Sequence, residues 1–410
     1  MSPTTLRLVL LVSCAHALVH VYELSLPSVE QLVALDFQVG KSVTGLLGNF
    51  WRLPFGLGAF LAGWLADRVG SKPMLVLYLA GCAATSVLAW WSTSLAMLFL
   101  AMFAMGTFAS IYHPAGLALI SRETTLGNRT LALGYHGILG SAGIAAAPFL
   151  AGIVLASGAT WRQYYLLLMV PGVVLAVLLS LRLRENLPAE GHSVSRLTPD
   201  EGVTHHWGMF VALTVVGAIG GFIYAALMNF LPRYLGDAHI AWGSLSAASL
   251  RNYLAGGVLL VGIVGQYAAG RLAPPRLLEP LLALVLLANA PCLAWMAIAQ
   301  GHARVAAAGA FALVHFMHQP IYNSLVANYV PHSRRSTGFG ISNTMTFGLG
   351  SFGAAFAGYA RSDLANYGTL AVLALVAALL AVALWCWHSA SHSQRAPRNA
   401  HTTLDARPVL

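Results

Sequence analysis

The chain has 410 residues, of which 58% are hydrophobic and 9% are charged, and its mean hydropathy is +0.72. Soluble domains carry about 25% charged residues, so this composition excludes a soluble globular protein and indicates a chain solvated by lipid. The formal net charge is +9, but the basic residues stand singly between apolar runs. That distribution is typical of membrane topology and argues against nucleic-acid binding.

Twelve apolar runs are long enough to cross about 30 Å of hydrocarbon. They define predicted segments 1 to 12, at residues 6–34, 42–66, 73–92, 95–121, 130–157, 162–182, 207–235, 243–270, 277–299, 303–331, 336–360 and 367–387. The polar interval after segment 6 has the proline, glycine and serine content of a flexible linker. We therefore predict an all-α membrane protein with an N-terminal six-helix bundle (1–184), a cytoplasmic linker (185–206), a C-terminal six-helix bundle (207–388) and a disordered cytoplasmic tail (389–410).

Lysine and arginine predict the orientation, because short cytoplasmic loops are enriched in both. With the N-terminus inside, the inner face receives fifteen of the 22 basic residues and the outer face four, and three lie within or near the bilayer. We therefore expect an integral protein of the inner membrane with both termini in the cytoplasm. The first segment lacks a small-residue cleavage site, so a removable signal peptide is not expected.

An internal repeat predicts two similar halves. Residues 113–152 align with residues 319–358 at an offset of 206 positions. The matches fall where backbone geometry is decided: Pro114 on Pro320, Arg129 on Arg335, Gly134 on Gly340 and Gly152 on Gly358. Two copies of one structural unit are typical of secondary transporters.

The loop after segment 2 carries a motif, GWLADRVGSK, over residues 63–72. It resembles the signature loop of the major facilitator superfamily, and we assign it a gating role through Gly63, Asp67, Arg68, Gly70 and Lys72. At the corresponding position of the second half, proline replaces the aspartate. Any gate that depends on this aspartate therefore belongs to the first half.

Residues 45–175 resemble the fosmidomycin-resistance type of efflux carrier within that superfamily. The resemblance rests on FASIYHP (108–114), on Ser121 and Arg122, and on the glycine-spaced segment 5, which ends in GIAAAPFLAG where drug antiporters have glycine-proline-x-x-glycine-glycine. It implies proton-coupled export, with segments 1, 4, 7 and 10 lining a central cavity and segments 3, 6, 9 and 12 facing lipid. The ionisable residues agree, because segments 3, 6, 9 and 12 have essentially none in their interiors.

Segment 1 contains the candidates for proton coupling. His16, His20 and Glu23 stand at positions i, i+4 and i+7, which share one face of a helix. Glu23 is the one carboxylate that the sequence places well within the membrane, and histidine titrates near neutrality. The alternative is a static ion pair of Glu23 with Arg52, with the histidines as cavity-wall groups hydrogen-bonded to water.

Other polar residues inside the segments are candidates for binding the solute, because each is costly in hydrocarbon unless it faces a cavity or a partner. His113 and His136 are expected at similar depth, and His315, His318 and Tyr322 share a face of segment 10. The full set of predicted solute-binding residues is Arg52, His113, His136, Asn229, His315, His318, Gln319, Tyr322, Asn323 and Asn343. The alternative for each imidazole is a structural hydrogen bond between helices.

Glycines 134, 137, 140 and 143 recur every three residues and predict a groove for close helix packing, as do Gly348, Gly350 and Gly353. A phosphate-binding loop would need a preceding strand, which the pattern does not contain. The four cysteines lie in apolar runs without metal-ligand or disulfide spacing and are interpreted as inert.

The sequence thus favours a monomeric secondary transporter that moves a small-molecule solute in exchange for protons across a lipid bilayer. Export of a drug-like or anionic metabolite is the leading hypothesis. An importer and a transition-metal transporter are the alternatives, the latter from the histidines of segment 1. No cofactor, no resident metal and no enzymatic nucleophile are predicted, so we do not expect an enzyme.

Overall fold

The computed structural model describes residues 1–183, 207–331 and 335–393, and within these ranges all regular structure is helical. In chain order the α-helices are α1 (Pro3–Glu23), α2 (Ser25–Asp36), α3 (Lys41–Val69), α4 (Ser71–Trp90), α5 (Leu95–Ala109), α6 (Tyr112–Glu123), α7 (Leu126–Ala156), α8 (Trp161–Arg182), α9 (Trp207–Gly236), α10 (Ala247–Leu272), α11 (Leu278–Ile298), α12 (Ala303–Tyr329), α13 (Arg335–Asn343), α14 (Phe352–Tyr359) and α15 (Asp363–Ser393). They form twelve membrane segments in two groups of six. The predicted all-α fold is confirmed.

Nine spans in the described part of the chain are long and apolar enough to cross a membrane by themselves. The other three segments are α3, α12 and the combination of α13 with α14. These three contain arginine, histidine, amide side chains or many glycines, which lower their hydropathy. Several of their polar side chains, among them Arg52, His315 and His318, are buried.

Three segments are interrupted where the sequence predicts continuous helices. Segment 1 breaks at Leu24, between α1 and α2, and segment 4 breaks at Ser110 and Ile111, just before α6. In segment 11, a π-helical turn (Thr344–Gly348) and a 3₁₀ turn (Leu349–Ser351) separate α13 from α14. Interruptions of this kind are tolerated at membrane depth only where the backbone is covered by protein or lines a cavity.

The two halves pack on each other through equivalent helices, as the internal repeat predicts. We call the face from which α1 starts the amino-terminal face and the other one the opposite face. Near the opposite face, Gly152 of α7 lies against Ser249 and Tyr253 of α10, and Gly358 of α14 lies against the start of α3. These two glycines are partners in the repeat. Equivalent glycines thus permit close approach at two equivalent interfaces.

Polar contacts also close the opposite face. The guanidinium of Arg233 on α9 binds both carboxylate oxygens of Glu30 on α2, each at 2.8 Å. The amide of Asn252 on α10 donates to the carbonyl oxygen of Ser28, at 2.9 Å. These contacts join the first half to the second. The interface between α3 and segment 11 continues to mid-depth, where Gly56 lies against Gly348, so the halves are held together from the opposite face to the middle of the membrane.

Burial agrees with the arrangement that the superfamily resemblance implies for segments 1, 7, 6 and 12, but not for segments 3 and 4, whose most apolar windows are 56% and 50% buried. The most apolar window of segment 1 is 72% buried and that of segment 7 is 61% buried, whereas the values are 33% for segment 6 and 39% for segment 12. Segments 1 and 7 are therefore central, and segments 6 and 12 present most of their surface to lipid.

Several boundaries differ from the sequence-based expectations. Segment 8 starts at Ala247 rather than at residue 243, and α15 continues to Ser393, so residues 389–393 are helical rather than part of a disordered tail. The predicted linker (185–206) and the rest of the tail (394–410) lie outside the described residues. Glu30 and Glu279 are also buried, so Glu23 is one of three buried carboxylates in the described part of the chain.

Only two of the four glycines that predict a packing groove in segment 5 lie against another helix. A Cβ atom at Gly140 would overlap the ring of His16, and one at Gly143 would overlap the backbone of Ala17, so both pack closely on α1. Gly134 and Gly137 have no such neighbour within 4 Å among the described residues. In segment 11 the predicted packing is present, because Gly350 lies against the backbone of Gly221 and Phe222 in α9, and Gly353 lies against the backbone of Phe222.

Candidate functional site

The three proton-coupling candidates form one connected chain of contacts on α1. Nδ1 of His20 lies 2.7 Å from Oε2 of Glu23, and Nε2 of His20 lies 3.2 Å from Nε2 of His16. Nδ1 of His16 lies 2.8 Å from the carbonyl oxygen of His136, on α7. The face predicted from the spacing therefore exists, and it is bonded to a second helix.

Arg52 on α3 is the cation that balances Glu23. Its Nη1 atom donates to Oε1 of Glu23, and the side chains are 5% and 1% exposed, respectively. The guanidinium carbon also lies 5.4 Å from the ring centre of Tyr224, on α9, and the Tyr224 side chain interacts with both charged groups. The ion pair of the first half thus contacts the second half through one tyrosine.

Arg52 is not saturated by these contacts. Its Nη2 atom is buried and has no hydrogen-bond partner in the part of the chain that the structure describes. Because an arginine is always charged and an orphaned buried donor is costly, this atom is the best-defined position for an acceptor from outside the protein.

His113 and His136 converge on His16, which lies between them. The His136 ring stacks on the His16 ring with centres 3.9 Å apart, and the His113 ring meets His16 edge-on at 5.2 Å. The ring of Tyr112 also stacks against His16 at 5.1 Å and lies 6.0 Å from the His136 ring. Nε2 of His136 is buried and has no hydrogen-bond partner among the described residues. The sequence predicted similar depth for the two histidines, and the structure places them in one cluster.

In the second half, His315, His318 and Tyr322 lie buried on α12. The His315 ring is stacked between those of Phe311 and Tyr224. Within the described residues, Nδ1 of His315 and Nε2 of His318 are buried without hydrogen-bond partners. The Tyr322 hydroxyl is 2.8 Å from Oγ of Ser342, which ties α12 to α13. Tyr224 therefore touches both the Arg52 pair and His315.

Gln319 and Asn323 are exposed, so they do not belong to this buried group. Gln319 instead accepts a hydrogen bond from Gln266 of α10 at 2.9 Å, and Gln266 accepts one from Ser141 of α7 at 2.6 Å. This chain of polar side chains joins the halves beside the cluster. It was not predicted, because Ser141 and Gln266 are single polar residues in separate apolar runs.

The two asparagines predicted on weaker grounds differ in position. Asn229 is 1% exposed, and its side chain fills the space left by Gly48 of α3. Neither Nδ2 nor Oδ1 of its amide has a hydrogen-bond partner among the residues that the structure describes. Asn343 is partly buried at the end of α13, directly before the π-helical turn. Asn229 thus lies at the contact between the halves, as a solute-binding or gating residue would.

The signature loop has the geometry that its sequence predicts. Gly70 is the single residue between α3 and α4 and has φ +92°, a left-handed conformation that favours glycine. Gly63 lies close to Pro114 of α6, and the Arg68 guanidinium covers the Trp64 ring at 3.5 Å. Asp67 is exposed and Lys72 is half-buried. Arg122 donates to Ser71 at 2.6 Å and ties α6 to this loop.

Arg129, the turn residue of the repeat, donates to the carbonyl oxygens of Ser121 and Thr124, at 2.9 and 3.3 Å. It therefore holds the connection between α6 and α7. The side chain of its repeat partner, Arg335, lies outside the described residues. In the first half, the arginine of the repeat therefore stabilises a turn and is not a candidate for binding the solute.

Two contacts of the candidate site could not be predicted from the sequence. Tyr224 is an ordinary aromatic residue in an apolar run, and only the fold places its ring 5.4 Å from the Arg52 guanidinium. Glu30 and Arg233 stand in separate segments, and only the fold brings them into contact. One feature of the sequence points to Arg233. It is a basic residue within or near the bilayer, and the enrichment of lysine and arginine in cytoplasmic loops does not account for it.

Comparison with known proteins defines the family. A profile described as Major Facilitator Superfamily matches residues 12–355, which is most of the chain. The chain belongs to this superfamily. No curated protein sequence matches it. Membership makes it an integral membrane transporter of a small-molecule solute.

Solved structures show the same fold. A bacterial homologue of the human lysosomal transporter Spinster, in an inward-facing and unoccupied conformation, has a TM-score of 0.71 at 16% identity, and the alignment covers 98% of this chain and 100% of that one. A mutant of the nucleoside transporter NupG has a TM-score of 0.73 at 12% identity, with 93% and 99% covered. The peptide transporter POT in complex with sulfate has a TM-score of 0.73 at 13% identity, with 93% and 94% covered. At these identities the likeness shows the fold alone.

Proposed function

We propose that the protein is a secondary transporter of the fosmidomycin-resistance type that exports a small drug-like or anionic solute in exchange for protons. One observation carries the choice of solute: Nη2 of the buried Arg52 has no partner, although Nη1 is paired with Glu23. A solute with an acidic or strongly accepting group would satisfy this donor. Arg52 is thereby proposed as the anchor for the solute.

The position of the anchor suits alternating access. Arg52 belongs to the first half, and Tyr224 and His315 belong to the second, so a solute at Nη2 would lie where the halves meet. Rocking of one half on the other changes the contacts of a solute bound there. The unpartnered ring nitrogens of His315 and His318 would supply further hydrogen bonds to it.

We place the protein in the inner membrane as a monomer, with both termini in the cytoplasm. The amino-terminal face is then cytoplasmic and the closed opposite face is external. Glu23, His20 and His16 are the proposed coupling residues. The superfamily fold supports gradient-driven transport, and the connected contacts of these three residues support their assignment.

An accumulation assay tests the proposal. Bacteria that lack their main efflux pumps would express the wild type, Arg52→Gln, Glu23→Gln or the control Arg162→Gln, whose ion pair with Asp36 lies at the opposite face. Cells would be exposed to phosphonates and amphipathic drugs with and without a protonophore. We expect wild type and Arg162→Gln to lower accumulation of one compound class, and the protonophore and both other variants to abolish the effect. Raised accumulation with the wild type would instead identify an importer.

A second assay distinguishes the loss of proton coupling from the loss of solute binding. In proteoliposomes, Glu23→Gln is expected to lose transport driven by a proton gradient while keeping solute exchange, and Arg52→Gln is expected to lose both. Gradient-driven transport by Glu23→Gln at the wild-type rate would remove Glu23 from the coupling mechanism.

A further inference from the structure

The rings of His16 and His20 approach each other through two nitrogen atoms, both Nε2, that act as hydrogen-bond acceptors. A carbonyl oxygen only accepts, so Nδ1 of His16 must donate its hydrogen to the carbonyl of His136. Nδ1 of His20 likewise donates to the Glu23 carboxylate. In the neutral rings, both Nε2 atoms therefore carry lone pairs. They lie 3.2 Å apart, which two acceptors tolerate only with a cation between them.

The spacing matches that of ligands on a tetrahedral ion. Zn–N bonds of about 2.0–2.1 Å place two nitrogen ligands about 3.3 Å apart. A third imidazole is near, because the ligand atoms of His16, His20 and His113 all lie within 4.8 Å of one another. Moving the His113 ring by about 1.5 Å would complete a three-histidine site of tetrahedral spacing.

The surroundings hold the first two rings in the orientation that a metal ion needs. Metal-binding histidines commonly donate their second ring nitrogen to a carboxylate or a backbone carbonyl, and these partners fix the tautomer. Glu23 does so for His20, and the His136 carbonyl does so for His16. The Tyr112 and His136 rings both stack against His16, with centres 5.1 and 3.9 Å from its own, and restrict its rotation.

We propose that His16, His20 and His113 form a binding site for a divalent transition-metal ion such as Zn²⁺. Three imidazoles suit zinc and its first-row neighbours rather than Mg²⁺ or Ca²⁺, which take oxygen ligands. Three ligands leave the fourth position of a tetrahedral ion for water or for an oxygen atom of a solute. This site goes beyond the proposed function, which assigns the cluster no metal.

Metal binding is measured on the purified full-length protein in detergent after treatment with a chelator. Zn²⁺ would be titrated by calorimetry, and Co²⁺ by the visible absorption bands that report tetrahedral coordination. We expect one high-affinity ion per chain. His20→Gln and His113→Gln should each abolish the tetrahedral bands and weaken Zn²⁺ binding by more than about 100-fold, and Glu23→Gln should weaken it by about 10–100-fold.

Two controls address the other histidines of the chain. His315→Gln removes another buried imidazole, in the second half, and should leave the affinity and the bands unchanged. A double variant of His205 and His206, which are adjacent in the linker sequence, should also leave them unchanged. A monodisperse elution profile and an unchanged unfolding temperature would show that each variant is folded.

Three outcomes would overturn the proposal: no saturable binding of either ion, binding that survives His20→Gln and His113→Gln, or bands lost in the linker variant. If a proton shared by the Nε2 atoms of His16 and His20, rather than a metal ion, lies between them, neither Zn²⁺ nor Co²⁺ would bind saturably. The readout is metal binding rather than transport, so its failure leaves the proposed function standing. Loss of transport in Arg52→Gln, conversely, says nothing against the metal site.

Discussion

At the scale of single residues, the ion pair of Glu23 and Arg52 is the feature that needs a functional explanation. Both side chains are almost wholly buried, and removing each ion from water costs several kcal/mol. The pair therefore persists only because each charge compensates the other, with His20 and Tyr224 beside them. A hydrophobic pair would cost less, so stability alone does not account for this choice of residues.

This pair predicts a pattern of stabilities. Arg52→Gln leaves the Glu23 carboxylate buried without its cation, and we expect the free energy of unfolding to fall by about 3–5 kcal/mol. The double variant Arg52→Gln/Glu23→Gln removes both charges and should recover most of this loss, without recovering transport. Denaturant titration of the purified proteins in detergent measures both. A double variant that is as unstable as Arg52→Gln would show that the destabilisation comes from lost packing instead.

At the scale of helices, small residues determine how closely α7 approaches α1. Gly143 is buried against the backbone of Ala17, which cannot move away as a flexible side chain could, whereas Gly134 has open space around it. The sequence pattern treats these two glycines alike, because a spacing of three residues says nothing about which turn meets a neighbour. Only the inclination of α7 across the bundle distinguishes them.

The two glycines form a matched pair for substitution. Gly143→Ala forces a methyl group into the α1 backbone and should lower the free energy of unfolding by about 1–3 kcal/mol. Gly134→Ala meets no neighbouring atom and should raise it by up to about 1 kcal/mol, because alanine favours the helical backbone. Denaturant titration in detergent tests the difference in sign. Equal effects at the two positions would contradict the close approach of α7 and α1.

At the scale of the whole molecule, the bond between Glu30 and Arg233 holds the two halves together at the opposite face. Thr44 adds a hydrogen bond to the same carboxylate, which is 1% exposed. Opening of this face must separate Glu30 from Arg233, since they belong to different halves. We expect the pair to stabilise the closed state relative to the open one.

Glu30→Gln should therefore shift the population toward opening at the opposite face. In a background without the four native cysteines, spin labels at Trp91→Cys and Leu364→Cys, which replace exposed residues of the two halves at this face, report the distance between them. We expect a longer distance to gain population in Glu30→Gln. Asp36→Asn is the control, because its ion pair with Arg162 lies within the first half. An unchanged distribution in Glu30→Gln would show that glycine packing alone closes this face.

The sequence by itself determined the class of the protein, the positions of its twelve segments, its two halves and the face shared by His16, His20 and Glu23. These features follow from hydropathy, from glycine and proline positions and from helical periodicity, which are local properties of the chain. The tertiary structure decided which residues meet across the bundle: Tyr224 with Arg52, Arg233 with Glu30, and His113 and His136 with His16. Such contacts depend on how helices far apart in the sequence tilt and pack, and a period of 3.6 residues within one helix does not contain that information.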